Sequence, residues 1–108
     1  MRVWYRVRDL DAGRAFYTRT LGFTETLFDA AAGFSELERG GMKIALAEGE
    51  PDEDGGVAHV DVEDLKAEAD RLRSAGVDVG IVFELQGEMR LLDVYDPDGN
   101  RIQLAQEL

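Results

Sequence analysis

The sequence predicts an α+β fold built from two tandem βαβββ modules, and three observations carry that expectation. First, three segments recur in the same order at a nearly constant offset. Val7-Arg8-Asp9-Leu10 matches Val62-Glu63-Asp64-Leu65, Leu21-Gly22-Phe23 matches Ala75-Gly76-Val77, and residues 41–47 match residues 99–105. Second, each copy opens on a two-residue hydrophobic alternation and passes into a helical period. Third, the midpoint is a turn-rich acidic stretch in which Glu48, Glu50, Asp52, Glu53 and Asp54 surround Pro51 and lead into Gly55-Gly56. Repelling charges, a proline and paired glycines make a solvated connector. The chain therefore divides into one domain with a first module over about 1–49, a linker over 50–56 and a second module over about 57–108.

Each element has a local cause. Residues 2–8 alternate so that Val3, Tyr5 and Val7 share one face of a strand, with Arg2, Trp4, Arg6 and Arg8 on the other. A helix follows, capped by Asp9 or Asp11 and ended by Gly22, with Ala15, Phe16, Tyr17 and Leu21 turned inward. Strands near 23–29, 33–39 and 42–48 complete the first module. In the second, a strand at 57–63 places Ala58, Val60 and Val62 on its inner face and Val57, His59, Asp61 and Glu63 on its outer one. Asp64 caps a helix carrying Leu65, Ala69 and Leu72 at i, i+4 and i+7, stopped by Gly76. Strands near 78–85, 88–95 and 100–106 follow. Asp96-Pro97-Asp98-Gly99-Asn100 starts like a calcium loop, but its glycine comes at the fourth position and no distal glutamate is suitably placed, so it reads as a turn.

Composition narrows the function. At 108 residues the chain buries one core, and 44% apolar residues is ordinary for a globular domain. No apolar run approaches the ~20 residues of a membrane span, and Met1 leads directly into a charged strand rather than an apolar leader. The absence of cysteine excludes disulfides and thiolate ligands, and a cytoplasmic location is the default expectation. A net charge of −11 argues against nucleic acid and anionic membranes. It favours cationic ligands, although most acidic surface serves solubility. Neither serine lies in a nucleophile elbow, and the glycines form no phosphate-cradling loop.

Asp9-Leu10-Asp11, Phe16-Tyr17, Leu21-Gly22-Phe23 and the run Asp96-Pro97-Asp98-Gly99-Asn100-Arg101-Ile102-Gln103-Leu104 resemble the vicinal oxygen chelate superfamily. That superfamily includes glyoxalase I, extradiol dioxygenases, fosfomycin-resistance enzymes and bleomycin-binding proteins. The resemblance spans nearly the whole chain and implies a mixed sheet curled around a cavity, with helices outside and the first strands of the two modules side by side. It also implies a homodimer. In metal-dependent members the ligands come from the first and last strands of each module, and the resemblance places those positions at Arg2, Ala45, Val57 and Gln103. None offers a strong donor, so the cavity is expected to hold no metal or other cofactor. His59, the single histidine, supplies one imidazole per chain, too few for a His-rich zinc site or a two-histidine iron site.

The expected ligand-binding residues are then Arg2, Trp4, Arg6, His59, Asp61 and Gln103, with His59 the one candidate general base. Trp4 serves either as a stacking platform or as a space filler. His59 is a base or a hydrogen-bonded wall residue. Arg2 or Arg6 facing Asp61 across the seam is a carboxylate anchor or an ion pair of little energetic weight, ~0–1 kcal/mol when exposed. Phe28, Phe34 and Phe83 line the opening or a dimer contact. The predicted function is metal-independent binding of a small molecule, possessing the character of drug or metabolite sequestration. The alternatives are a lyase, isomerase or dioxygenase-like enzyme using His59 and cavity carboxylates, and a partner module whose cavity is filled by its own side chains.

Overall fold

The computed structural model describes residues 2–51 and 56–108, Arg2 by its backbone alone; most of the predicted linker, 52–55, lies outside the described residues. The first half runs β1 (Arg2–Val7), α1 (Leu10–Ala15), a π-helical extension of α1 (Phe16–Thr20), β2 (Thr24–Asp29), β3 (Phe34–Arg39) and β4 (Met42–Glu48). The second runs β5 (Ala58–Asp61), α2 (Leu65–Ser74), β6 (Asp78–Val79), β7 (Phe83–Leu85), β8 (Met89–Tyr95) and β9 (Arg101–Glu107). One sheet has the order β1-β4-β3-β2, and the other β5-β9-β8-β6 with β7 also on β8. In both, the first strand lies parallel to the last. The α+β class and the repeated βαβββ plan stand as read from the sequence.

Local chemistry accounts for the element ends. Asp9, rather than Asp11, caps α1, its carboxylate accepting from the Ala12 amide at 3.1 Å; Asp64 does the same for α2 through Ala67. Leu65, Ala69 and Leu72 are buried on α2 as their spacing requires. The π-helical extension replaces the regular helix end expected before Gly22. Leu21 N–H reaches back to the Phe16 carbonyl, an i to i−5 bond, and the wider turn brings Tyr17 fully inside. The strand expected over 78–85 is broken into β6 and β7 around Gly80, where Ile81 is exposed.

One hydrophobic cluster joins the halves. It takes Tyr5, Val7, Leu37, Ile44 and Leu46 from the first sheet and Ala58, Val60, Leu92, Val94, Ile102 and Leu104 from the second, with Leu10, Tyr17, Leu65, Ala69 and Leu72 from the helices. The described strands form two separate sheets. Among the described residues no ladder joins β1 to β5, and the two first strands meet through a side chain instead. Tyr5 Oη accepts from the Ala58 amide at 2.6 Å and donates to the Arg101 carbonyl at 2.6 Å. The hydroxyl thereby bridges the Ala58 amide of β5 to the Arg101 carbonyl of β9, satisfying both backbone groups from the first sheet. The chain is accordingly elongated, 46 × 27 × 25 Å.

Candidate functional site

Strand alternation leaves each sheet one face on the core and one open face. On the first sheet, cross-strand register places Trp4, Ala45, Glu36 and Leu27 in one row and Arg6, Ala47, Phe34 and Asp29 in the next. Trp4 is 52% exposed, and its ring centroid lies 6.1 Å from that of Phe34, tilted by 39°. Trp4 is thus exposed beside a half-buried Phe34. Ala45 shares this face yet is fully buried, because its neighbours Trp4 and Glu36 are larger and flank its methyl. Arg6 is exposed on the same face.

Phe28 does not join this face. A bulge between Glu25 and Leu27 reverses the alternation of β2. Leu27 thus falls in the Trp4 row, while Phe28 lies beneath the Arg14 guanidinium, 3.5 Å from the ring centroid. Arg14 also grips Glu25 with bonds of 2.7 and 2.8 Å, and Ser35 donates to the same carboxylate at 2.6 Å. The Arg14 bond, with help from Ser35, holds the Glu25 carboxyl below its ordinary range.

On the second sheet, the open face carries the row His59, Gln103 and Asp93, and beside it Asp61, Ala105, Leu91 and Phe83. His59 and Asp61 are exposed, Gln103 is half-buried, and Phe83 and Leu85 are 55% and 43% exposed. Gln103 Nε2 donates to Asp93 Oδ1 at 3.3 Å, and the Arg101 guanidinium lies 3.7 Å from Asp93 Oδ2. Asp93 was not anticipated from sequence. Its spacing on β8 marks the open face, but only the β8–β9 register shows that it meets Gln103.

The expected binding residues therefore form two groups. Trp4 and Arg6 belong to the first sheet, with Ala45 beside them, and His59, Asp61 and Gln103 to the second; the side chain of Arg2 lies outside the described residues. Asp61 takes part in no ion pair among the described residues. Its carbonyl lies beside Gly40, and its side chain lines two surface clefts of about 440 and 430 Å³, shared with Val62 and Glu63. A third cleft of about 400 Å³ is lined by Phe16, Tyr95 and the residue 96–99 turn.

That turn ties the halves together beneath the open faces. Asp96 is buried, and its carboxylate accepts from Tyr17 Oη at 2.8 Å, from Asn100 Nδ2 at 2.9 Å and from the amides of Asp98 and Asn100 at 2.9 Å. Burial, reinforced by Asp96, pushes the Tyr17 phenol far up, and burial raises Tyr5 to about 12. Both hydroxyls are protonated at neutral pH and serve as donors.

The donor chemistry at the four positions assigned by resemblance does not fit a transition metal. Arg2 is a cation, Ala45 and Val57 have no side-chain donor, and Gln103 offers one neutral oxygen while its nitrogen is held by Asp93. Among the described residues, no three His, Asp or Glu side chains are grouped as a metal ion would require.

Comparison with known proteins agrees with this architecture. No curated protein sequence matches the chain. Among solved structures, an integron cassette protein from the mobile metagenome of the Halifax Harbour sewage outfall superposes with a TM-score of 0.85 at 24% identity, covering 98% of this chain and 96% of that one. TnmS3, an antibiotic binding protein from Streptomyces sp. CB03234, gives 0.82 at 24% identity over 99% and 93%. The fosfomycin resistance protein FosX from Listeria monocytogenes, solved with Mn(II) and sulfate, gives 0.81 at 18% over 100% and 89%. At these identities the superpositions establish the fold. The family model for the Glyoxalase/Bleomycin resistance protein/Dioxygenase superfamily matches residues 2–104, and the chain belongs to that superfamily.

Proposed function

We propose that this protein binds a small molecule without a metal ion, sequestering it rather than transforming it. The observation that carries the reading is Trp4, half exposed against Phe34 on a sheet face from which only the small Ala45 is fully buried. A tryptophan that merely filled space would sit with Tyr5 and Ile44 on the other side. Trp4 instead offers a flat, polarisable platform to an aromatic or cationic ligand. The net charge of −11 favours cations at long range. TnmS3 supports the reading as a protein of this fold described as antibiotic binding; FosX, solved with Mn(II), shows that the fold alone does not decide the metal. The donor set argues for metal independence here.

In this reading the protein is a cytoplasmic homodimer. The feature that supports association is the set of exposed apolar side chains on the open faces and at the β6–β8 margin, Trp4, Leu27, Ile81, Phe83 and Leu85.

Trp4 is the single tryptophan, so selectively excited tryptophan fluorescence reports on the platform apart from the three tyrosines. Titration with cationic and neutral polycyclic aromatic compounds is expected to quench or shift the emission, in buffer with a chelator as well as without. A screen in which no compound class moves the emission overturns the binding reading. A stoichiometric transition metal, found by elemental analysis after purification without added metal, overturns metal independence.

A further inference from the structure

We propose that Asp93 is a positioning residue that fixes the direction of the Gln103 amide, so that the open face of the second sheet selects ligands carrying a hydrogen-bond donor. The proposal rests on the binding reading above and adds a chemical class to it. β9 lies between β5 and β8, so Gln103 has His59 in register on one side and Asp93 on the other. A glutamine amide has a donor end and an acceptor end of nearly equal shape, and its neighbours decide which way it lies. A carboxylate only accepts, so the contact at 3.3 Å requires the Gln103 NH₂ to face Asp93. Arg101, 3.7 Å from the other carboxylate oxygen, restrains Asp93 from the opposite end.

The consequence falls on the remaining atom. With Nε2 committed to Asp93, Gln103 Oε1 is turned away from β8, toward the His59 side of the open face. Across from Asp93, the chain supplies Gly80, whose amide bonds the Asp93 carbonyl at 2.9 Å and which adds no side chain over the carboxylate. The row therefore presents an acceptor at its centre, next to the exposed His59. An N–H or O–H of a ligand is accepted there, whereas an ether or ester oxygen at the same point meets another acceptor and leaves Oε1 unpaired.

The test uses the full chain, labelled with ¹⁵N, and two probes of matched shape, 2-naphthol and 2-methoxynaphthalene. The Gln103 side-chain amide signals are identified by their loss in Gln103→Glu. In the unsubstituted protein one amide proton is expected downfield of the free-glutamine position, returning toward it in Asp93→Ala. Asp93→Asn, which can donate as well as accept, releases the amide to lie either way. The phenol is expected to bind about tenfold more tightly than its methyl ether, a preference falling to within about twofold in Asp93→Asn. Gln103 amide signals unchanged by both Asp93 substitutions overturn the positioning role, and equal affinity for the two probes in the unsubstituted protein overturns donor selection. Binding of neither probe removes the donor selection together with the binding reading for this class, while the amide signals still decide whether Asp93 orients Gln103.

Discussion

Tyr17 of the first half donates its phenolic proton to the buried Asp96 carboxylate of the second at 2.8 Å. The bond crosses the junction between modules, joining a fully buried phenol to a buried carboxylate. Tyr17→Phe keeps the ring and its edge-on packing against Phe16 and Phe23 but leaves Asp96 one donor short. A hydrogen bond to a charged group contributes about 1.5–3 kcal/mol. Urea denaturation is expected to show a loss of about 2 kcal/mol with an unchanged slope, and thermal melting a fall of roughly 10 °C.

Acid stability follows from Glu25. Its carboxyl titrates below its unfolded value because Arg14, and then Ser35, favour the ionised form. The stabilisation it supplies is fully present above the unfolded carboxylate range, near pH 4.3, and is lost as pH falls through the lowered native value. Ser35→Ala weakens the preference and moves the acid-unfolding midpoint to higher pH. Circular dichroism followed from pH 7 to pH 2 checks the direction; an unchanged midpoint contradicts the assignment.

Gly13 sits on the buried side of α1, where an added Cβ would lie 3.0 Å from Val7 Cγ2. Alanine in place of glycine gains about 0.8–1 kcal/mol of helix propensity, whereas overpacking a core costs about 1–3 kcal/mol. Val7 is β-branched and buried, so it yields little. Gly13→Ala is expected to destabilise by about 1 kcal/mol by urea denaturation, a sign opposite to that of the same change on an exposed helix.

Association is tested at Phe83, exposed on β7. Phe83→Asp adds charge to the open face without touching the core. Sedimentation equilibrium is expected to return twice the chain mass for the unsubstituted protein and a monomer for the variant. Equal masses for the two contradict an interface at this margin.

The sequence made the two-faced strands readable because burial there has a strict period. Tyr5 and Val7 are core and Trp4 and Arg6 are not, as alternation requires, and α2 was legible from Asp64, three apolar positions and Gly76. What escaped has no local signature. The bulge at residue 26 turns Phe28 away from the face that carries Trp4 and Phe34, and nothing in Thr-Glu-Thr-Leu-Phe announces an extra residue. The π-helical turn at Phe16–Thr20 carries Tyr17, whose partner Asp96 lies 79 positions away. Tyr5 was readable as a core residue but not as the group that holds the edges of β5 and β9. Asp93 and Gln103 become partners through register, which no single strand encodes.

The open faces hold almost none of the residues that make the core cluster, so recognition and foldability are written at alternate positions of the same strands. A designer wishing to retarget this protein has Trp4, Leu27, Phe34, His59 and Asp93 to recast as a set, while Tyr5, Ile44, Val60 and Ile102 go on specifying the scaffold unchanged. Diversification can then be extensive on one side of each sheet without eroding the capacity to fold.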